Sequence, residues 1–298
     1  METAFRFEGV VKRYGRVEAL RGLTLSAPRG SVIGFVGRNG AGKSTAIRCL
    51  VGLQQPSEGK VELLGENPWE LDVPTKQRLG YLSERGVPYP WATPEELIRF
   101  CSPLYPRWDD EMERSLLERF GIDRKRKLKT LSLGQQRAVG LLLAVCPHPE
   151  VLVLDEPAAN LDAVVRRGFL EQVLALVREE GRTVLFSSHI LSDVERVADR
   201  IAVLHQGRIL LDRQMDALKE QVRRVRLVFE GEPPAAVEIP GVLRLRRSGK
   251  ELLATVDHFE ELLPARLKQG TGASFVESLP LGLEELFIDL TNDVAGTA

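Results

Sequence analysis

Gly37, Gly42, Lys43 and Ser44 satisfy the pattern G-x-x-x-x-G-K-[ST], with the apolar run SVIGFVG before it and AIRCLVGL, which reads as a helix, after it. Glycines so placed let backbone N–H groups close around phosphate oxygens, and a helix beginning near Lys43 adds its dipole. The Lys43 ammonium reaches for β- and γ-phosphates, and the Ser44 hydroxyl is a ligand for Mg²⁺. Arg38, Asn39, Gly40, Ala41 and Thr45 complete the stretch expected to surround the phosphates. A second pattern, VLVLDEP, ends an apolar strand in two carboxylates. A strand buried on both faces has no structural use for acids at its C-terminal edge, and in open α/β sheets that edge is where ligands sit. Asp155 is expected to hold Mg²⁺ through water, and Glu156 to be the base that polarises an attacking water. The two patterns together indicate nucleoside triphosphate hydrolysis.

Such groups meet only if strands and helices alternate around one sheet. Residues 4 to 36 read as β-type runs punctuated by Gly and Pro, ending in the compact strand before Gly37. Between Pro88 and Thr130 the pattern changes to short helices, with Thr93-Pro94-Glu95-Glu96 as a capped start. From Gln135 a helix leads to VLVLDEP, then a long amphipathic helix from Ala163 to Glu180, the strand TVLFSSH, the helix LSDVERVAD and the strand RIAVLHQG. Apolar strands alternating with helices indicate a parallel sheet covered on both faces, hence an α/β fold. After about Met215 the character shifts to VRLVFE, a Pro-rich loop, a hairpin around Ser248-Gly249-Lys250, a helix, a strand and the amphipathic GLEELFIDL. The division expected is residues 1–215, with a helical subdomain at about 88–140, and residues 216–298 as a linker and small α+β domain that starts near 222.

Composition removes other classes. With 43% hydrophobic and 28% charged residues the 298-residue chain has material for a core, which excludes wholesale disorder. A balance of 41 basic against 42 acidic residues argues against nucleic acid as partner. Cys49, Cys101 and Cys146 are odd in number and scattered, so neither a disulfide framework nor a zinc site is expected, in keeping with a reducing cytoplasm. Charges at Glu2, Arg6 and Glu8 interrupt any export signal. The longest apolar run, Ala138 to Cys146, is far shorter than the roughly 18 to 20 residues of a membrane span. The basic run Arg124 to Lys129 reads as a solvated loop, or else as a contact for anionic headgroups or an acidic partner.

Three further stretches carry a family resemblance. LSLGQQR, residues 131 to 137, resembles the LSGGQ signature of ATP-binding cassette (ABC) proteins; AANLD, residues 158 to 162, resembles their D-loop and SSHI, residues 187 to 190, their switch-histidine loop. Their order, with the two phosphate motifs, matches the family over roughly residues 4 to 215. The resemblance implies a P-loop NTPase cassette: a mainly parallel sheet, an antiparallel N-terminal β subdomain and a helical subdomain. It also implies ATP and Mg²⁺ as cofactors. Tyr14 then corresponds to the aromatic that stacks on adenine. Ser132, Gly134 and Gln135 would contact the γ-phosphate held by an opposite subunit, His189 would contact the γ-phosphate and hold the catalytic geometry, and Asp162 would communicate across the dimer. Glu84 stands where the family has a metal-associated Gln, Leu133 replaces the first Gly of the signature pair, and Arg38 stands where Pro is frequent. The implied partners are a second cassette, identical or paralogous, and integral membrane permease subunits received by the region from Glu84 through the helical insertion. The implied location is the cytoplasmic face of the cell membrane. LPLGLEELFIDL looks like the small C-terminal domain of ABC-2-type exporter ATPases, and SPLYPRWD with GRNGAGKS is similar to the bacterial YtrB-like group. Glu84 and Leu133 leave open a regulatory or scaffolding cassette with degenerate catalysis, and a soluble non-transport cassette ATPase is the other alternative.

Overall fold

Alternating apolar residues build the first two strands, β1 (Thr3–Tyr14) and β2 (Val17–Pro28), which pair antiparallel across a turn at Gly15. A computed structural model describes residues 2–178 and 181–291 and divides the chain into two units, Met1–Asp212 and Arg213–Ala298. In the first unit β3 (Val32–Val36), buried at every position, leads into α1 (Lys43–Leu50), and β4 (Glu58–Leu63) returns to pair with β1. Phe5, Phe7, Leu20 and Leu23 of the antiparallel sheet, Ile47 and Leu50 of α1, and Ile33 and Phe35 of β3 share one core.

A short helix, α2 (Val73–Lys76), precedes β5 (Leu79–Leu82). Helical structure follows: α3 (Pro94–Cys101), α4 (Asp110–Arg119) and α5 (Leu133–Val145). Pro94 opens α3, and Thr93 and Glu96 exchange the two bonds of a capping box. Asp109 caps α4, and Ser132 with Gln135 forms a second capping box at the start of α5. Ala138 to Leu142 are buried without interruption, so the apolar run of the sequence is the body of α5. In the basic run, Arg124 pairs with Glu113 at 2.9 Å, Arg126 donates to the Thr130 carbonyl at 2.6 Å, and Leu128 is buried.

The chain then alternates: β6 (Val151–Leu154), α6 (Ala163–Arg178), β7 (Thr183–Ser188), α7 (Leu191–Val197), β8 (Arg200–His205) and β9 (Arg208–Gln214). The sequence reading carries α6 to Glu180, but residues 179 and 180 lie outside the described residues. The six-stranded sheet has the order β5-β6-β7-β3-β8-β9, and every pair from β5 to β8 is parallel. The segments after β3, β5, β6 and β7 therefore leave by the same edge. Those four segments carry Lys43, Glu84, Asp155 with Glu156, and His189.

The second unit contains α8 (Met215–Gln221), β10 (Arg223–Val228), β11 (Val242–Ser248), β12 (Glu251–Val256), α9 (Leu263–Thr271), β13 (Phe275–Pro280) and α10 (Leu283–Thr291). Its sheet, β11-β12-β10-β13, is antiparallel throughout. One face buries Val225, Leu227, Leu252 and Ala254 against Leu263 and Leu267 of α9. From α10 the buried Asp289 accepts hydrogen bonds from Arg224 at 2.9 Å, from Arg246 and from Thr255.

Candidate active site

The phosphate motif is shaped by its own backbone. Gly42 precedes α1 at φ +111°, and a Cβ there would lie 2.7 Å from the Ala19 carbonyl. A Cβ on Gly207 would meet that same carbonyl at 2.7 Å. The Gly207 N–H donates to the Ala41 carbonyl at 2.9 Å, and the Gly207 carbonyl accepts from Arg21 N–H at 2.9 Å. Ala19 of β2 is thus clasped between the motif and the β8–β9 turn. No side chain caps α1, so the N–H groups of its first turn are available to an anion. Arg38, Asn39, Gly40, Gly42, Lys43, Ser44 and Thr45 line an open cleft of about 270 Å³ with Ala19, Glu84 and Glu156.

Lys43 is 95% buried beneath this cleft, where its ammonium donates to the Gly37 carbonyl at 2.6 Å and lies 3.1 Å from Glu156 Oε1. The second contact is an ion pair without hydrogen-bond alignment, and Oε1 is otherwise unpartnered. Glu156 Oε2 is 2.8 Å from His189 Nδ1. Glu156 sits at φ +47°, a left-handed conformation held by its N–H donating to the Ser187 hydroxyl at 2.9 Å. Ser187 in turn donates to Asp155 Oδ1 at 2.8 Å, and the Ser44 hydroxyl lies 3.4 Å from the same oxygen. Burial pushes the Asp155 carboxyl above its ordinary range, with Glu84 and Glu156 adding to the effect and the two serine bonds opposing it. Ser187 is the member that motif reading passes over; its only sequence signal is its place two residues before His189.

Among the described residues no group of three or more His, Cys, Asp or Glu is arranged to hold a metal alone. A Mg²⁺ site does not require one, since this ion is commonly held by one or two protein oxygens together with substrate phosphates and water. The Ser44 hydroxyl, from a residue lining the cleft, and the buried Asp155 carboxylate 3.4 Å from it are hard oxygens that fit that chemistry.

The remaining residues stand away from the cleft lining. Tyr14, at the end of β1, is half-exposed, its hydroxyl bonded to Gln54 and its ring 5.3 Å from the Lys12 ammonium. Ser132 and Leu133 are exposed at the start of α5, Gly134 is buried against Val165 of α6, and the Gln135 amide donates to the Phe120 and Gly121 carbonyls at 3.3 and 3.0 Å. Asp162 is exposed and accepts from the N–H groups of Val164 and Val165, both at 3.1 Å, which caps α6.

Residues 20–159 match the family described as ABC transporter. The Nod factor export ATP-binding protein I of Rhizobium etli is 31% identical over 303 residues, covering 97% of this chain and 93% of its own. The ABC transporter ATP-binding protein YtrB of Bacillus subtilis is 27% identical over 271 residues, covering 91% and 92%. A solved ATP-binding subunit of an ABC transporter superposes with a TM-score of 0.65 at 27% identity, covering 73% of this chain and 92% of that one. With a phosphate cradle, paired carboxylates and a histidine gathered on one sheet edge, the chain belongs to the ATP-binding cassette family and is an ATP-binding, ATP-hydrolysing subunit of the ABC type.

Proposed function

We propose that this chain powers export, working at the cytoplasmic face of a cell membrane as one of two cassettes, identical or paralogous, that drive separate permease subunits. The carrying observation is the run of contacts Lys43–Glu156–His189 set beside Ser44 and Asp155. In this reading Gly37 to Thr45 wrap the phosphates, Lys43 exchanges its internal partners for the β- and γ-phosphates, and Tyr14 takes the adenine. Glu156 polarises the attacking water, and His189 holds Glu156 and the γ-phosphate in register. Ser44, Asp155 and Glu84 hold Mg²⁺, which when bound neutralises developing phosphate charge.

Ser132, Gly134 and Gln135 do not line the cleft of their own chain. A signature and a P-loop that do not meet within one subunit suit a pair of cassettes in which each completes the other's site, with Asp162 at the junction. Export as the direction draws on the R. etli relative, whose similarity extends over 97% of this chain and so includes the second unit. Among the described residues no helix is long and apolar enough to cross a membrane, and the reading assigns the pathway to the permease subunits.

Replacing Glu156 by Gln removes the base and keeps the phosphate cradle. Hydrolysis should fall by roughly 10²–10⁴-fold while ATP affinity persists, and an ATP-bound dimer should accumulate in light scattering. Turnover at the parental rate would overturn the role given to Glu156.

A further inference from the structure

Glu84 enters the cleft from a turn that is closed on itself. The Gly86 N–H donates to the Ser83 carbonyl at 2.9 Å and the Ser83 hydroxyl donates to the Gly86 carbonyl at 3.1 Å, leaving Glu84 and Arg85 exposed at the tip. Behind this turn, Arg137 of α5 donates through Nη1 to the same Ser83 carbonyl at 3.1 Å. Arg137 is only 4% exposed, and its Nε is buried with no hydrogen-bond partner. Burial lowers its pKa, and the carboxylates that oppose this are Glu84 and Asp155. Three residues further along, Gly140 lets α5 press on the strand entering the turn: a Cβ there would lie 2.6 Å from Leu82 Cδ1 and 3.5 Å from Val87 Cγ2.

A buried guanidinium with an unused donor is unfavourable unless something compensates it. The residues that follow on α5, Ala138, Val139, Leu141 and Leu142, are apolar and call for no charge. The compensation lies toward the cleft, where Glu84, Asp155 and Glu156 stand against Lys43 and the exposed Arg38. A triphosphate adds to that negative charge.

We propose that Arg137 is the positioning residue for Glu84: it offsets the charge that Glu84 brings to the cleft and fastens the Glu84 turn to α5. The helix so fastened is the one whose first turn bears Ser132, Gly134 and Gln135. This inference rests on the cleft being the Mg–ATP site.

The test is a double-mutant cycle on the full chain, reading the affinity for the non-hydrolysable analogue AMP-PNP with and without Mg²⁺, alongside thermal melting. Arg137→Met alone should weaken AMP-PNP binding about tenfold, and most of that loss should vanish in the Glu84→Gln background. Arg137→Lys, which keeps the charge but not the fork aimed at Ser83, should fall between, and it replaces the Met variant in the cycle if that variant does not fold. Equal losses in both backgrounds, with melting lowered in parallel, would overturn the proposal by making Arg137 a packing residue. A parental chain with no affinity for AMP-PNP would instead overturn the reading of the cleft.

Discussion

Lys43 holds two internal partners, the Gly37 carbonyl and Glu156, and both must be released to a phosphate chain. Glu156 is 94% buried, with Lys43 3.1 Å from one of its oxygens and His189 2.8 Å from the other. Lys43→Ala should therefore do two things: abolish ATP binding, and lower the melting temperature of the nucleotide-free protein. Adding Glu156→Gln should restore part of the melting temperature but none of the affinity, which calorimetry and ATP titration would separate. Full affinity in Lys43→Ala would end the phosphate assignment. The residues that form this cluster were legible because each lies in a short pattern whose chemistry demands it. Ser187 and Arg137 lie within SSHI and LSLGQQR, but their roles were not legible, because serine and arginine have many structural uses and only the folded chain brings Ser187 to Asp155, or Arg137 beneath the Glu84 turn.

Helices were read from caps and periodicity, and the structure bears out the start at Thr93, where side chain and backbone trade two hydrogen bonds. Removing the cap by Thr93→Ala should cost about 1 kcal/mol, measured by denaturant unfolding, with hydrolysis per folded molecule nearly unchanged. The α/β alternation was visible in the same way, since β3, β6 and β7 are buried throughout and the first two read as unbroken apolar runs. Three strands escaped. β4 begins with the exposed residues Glu58, Gly59 and Lys60, β5 is four residues long, and β9 mixes exposed and half-buried positions. Strands of this kind are defined by the neighbours they pair with rather than by their own sequence. β5 matters most, because its end sets the position of the Glu84 turn.

The two units have separate cores and separate sheets, so heat should unfold them in distinguishable steps. In the second unit Asp289 gathers Arg224, Arg246 and Thr255, and Asp289→Ala would leave those donors without their common acceptor. A loss of about 3 kcal/mol is expected in that unit alone, seen in calorimetry as one transition moving while the other stays. A joint shift of both would mean that the units unfold together. Within the first unit, the Ala19 carbonyl clasped by Gly42 and Gly207 joins the strand pair that carries Tyr14 to the loop that wraps the phosphates. Main chain meets main chain there, with no side chain between to adjust the fit. For a nucleotide whose base would stack on Tyr14 as proposed, the clasp acts as a gauge block: the span between that aromatic and the phosphate loop is set by peptide geometry.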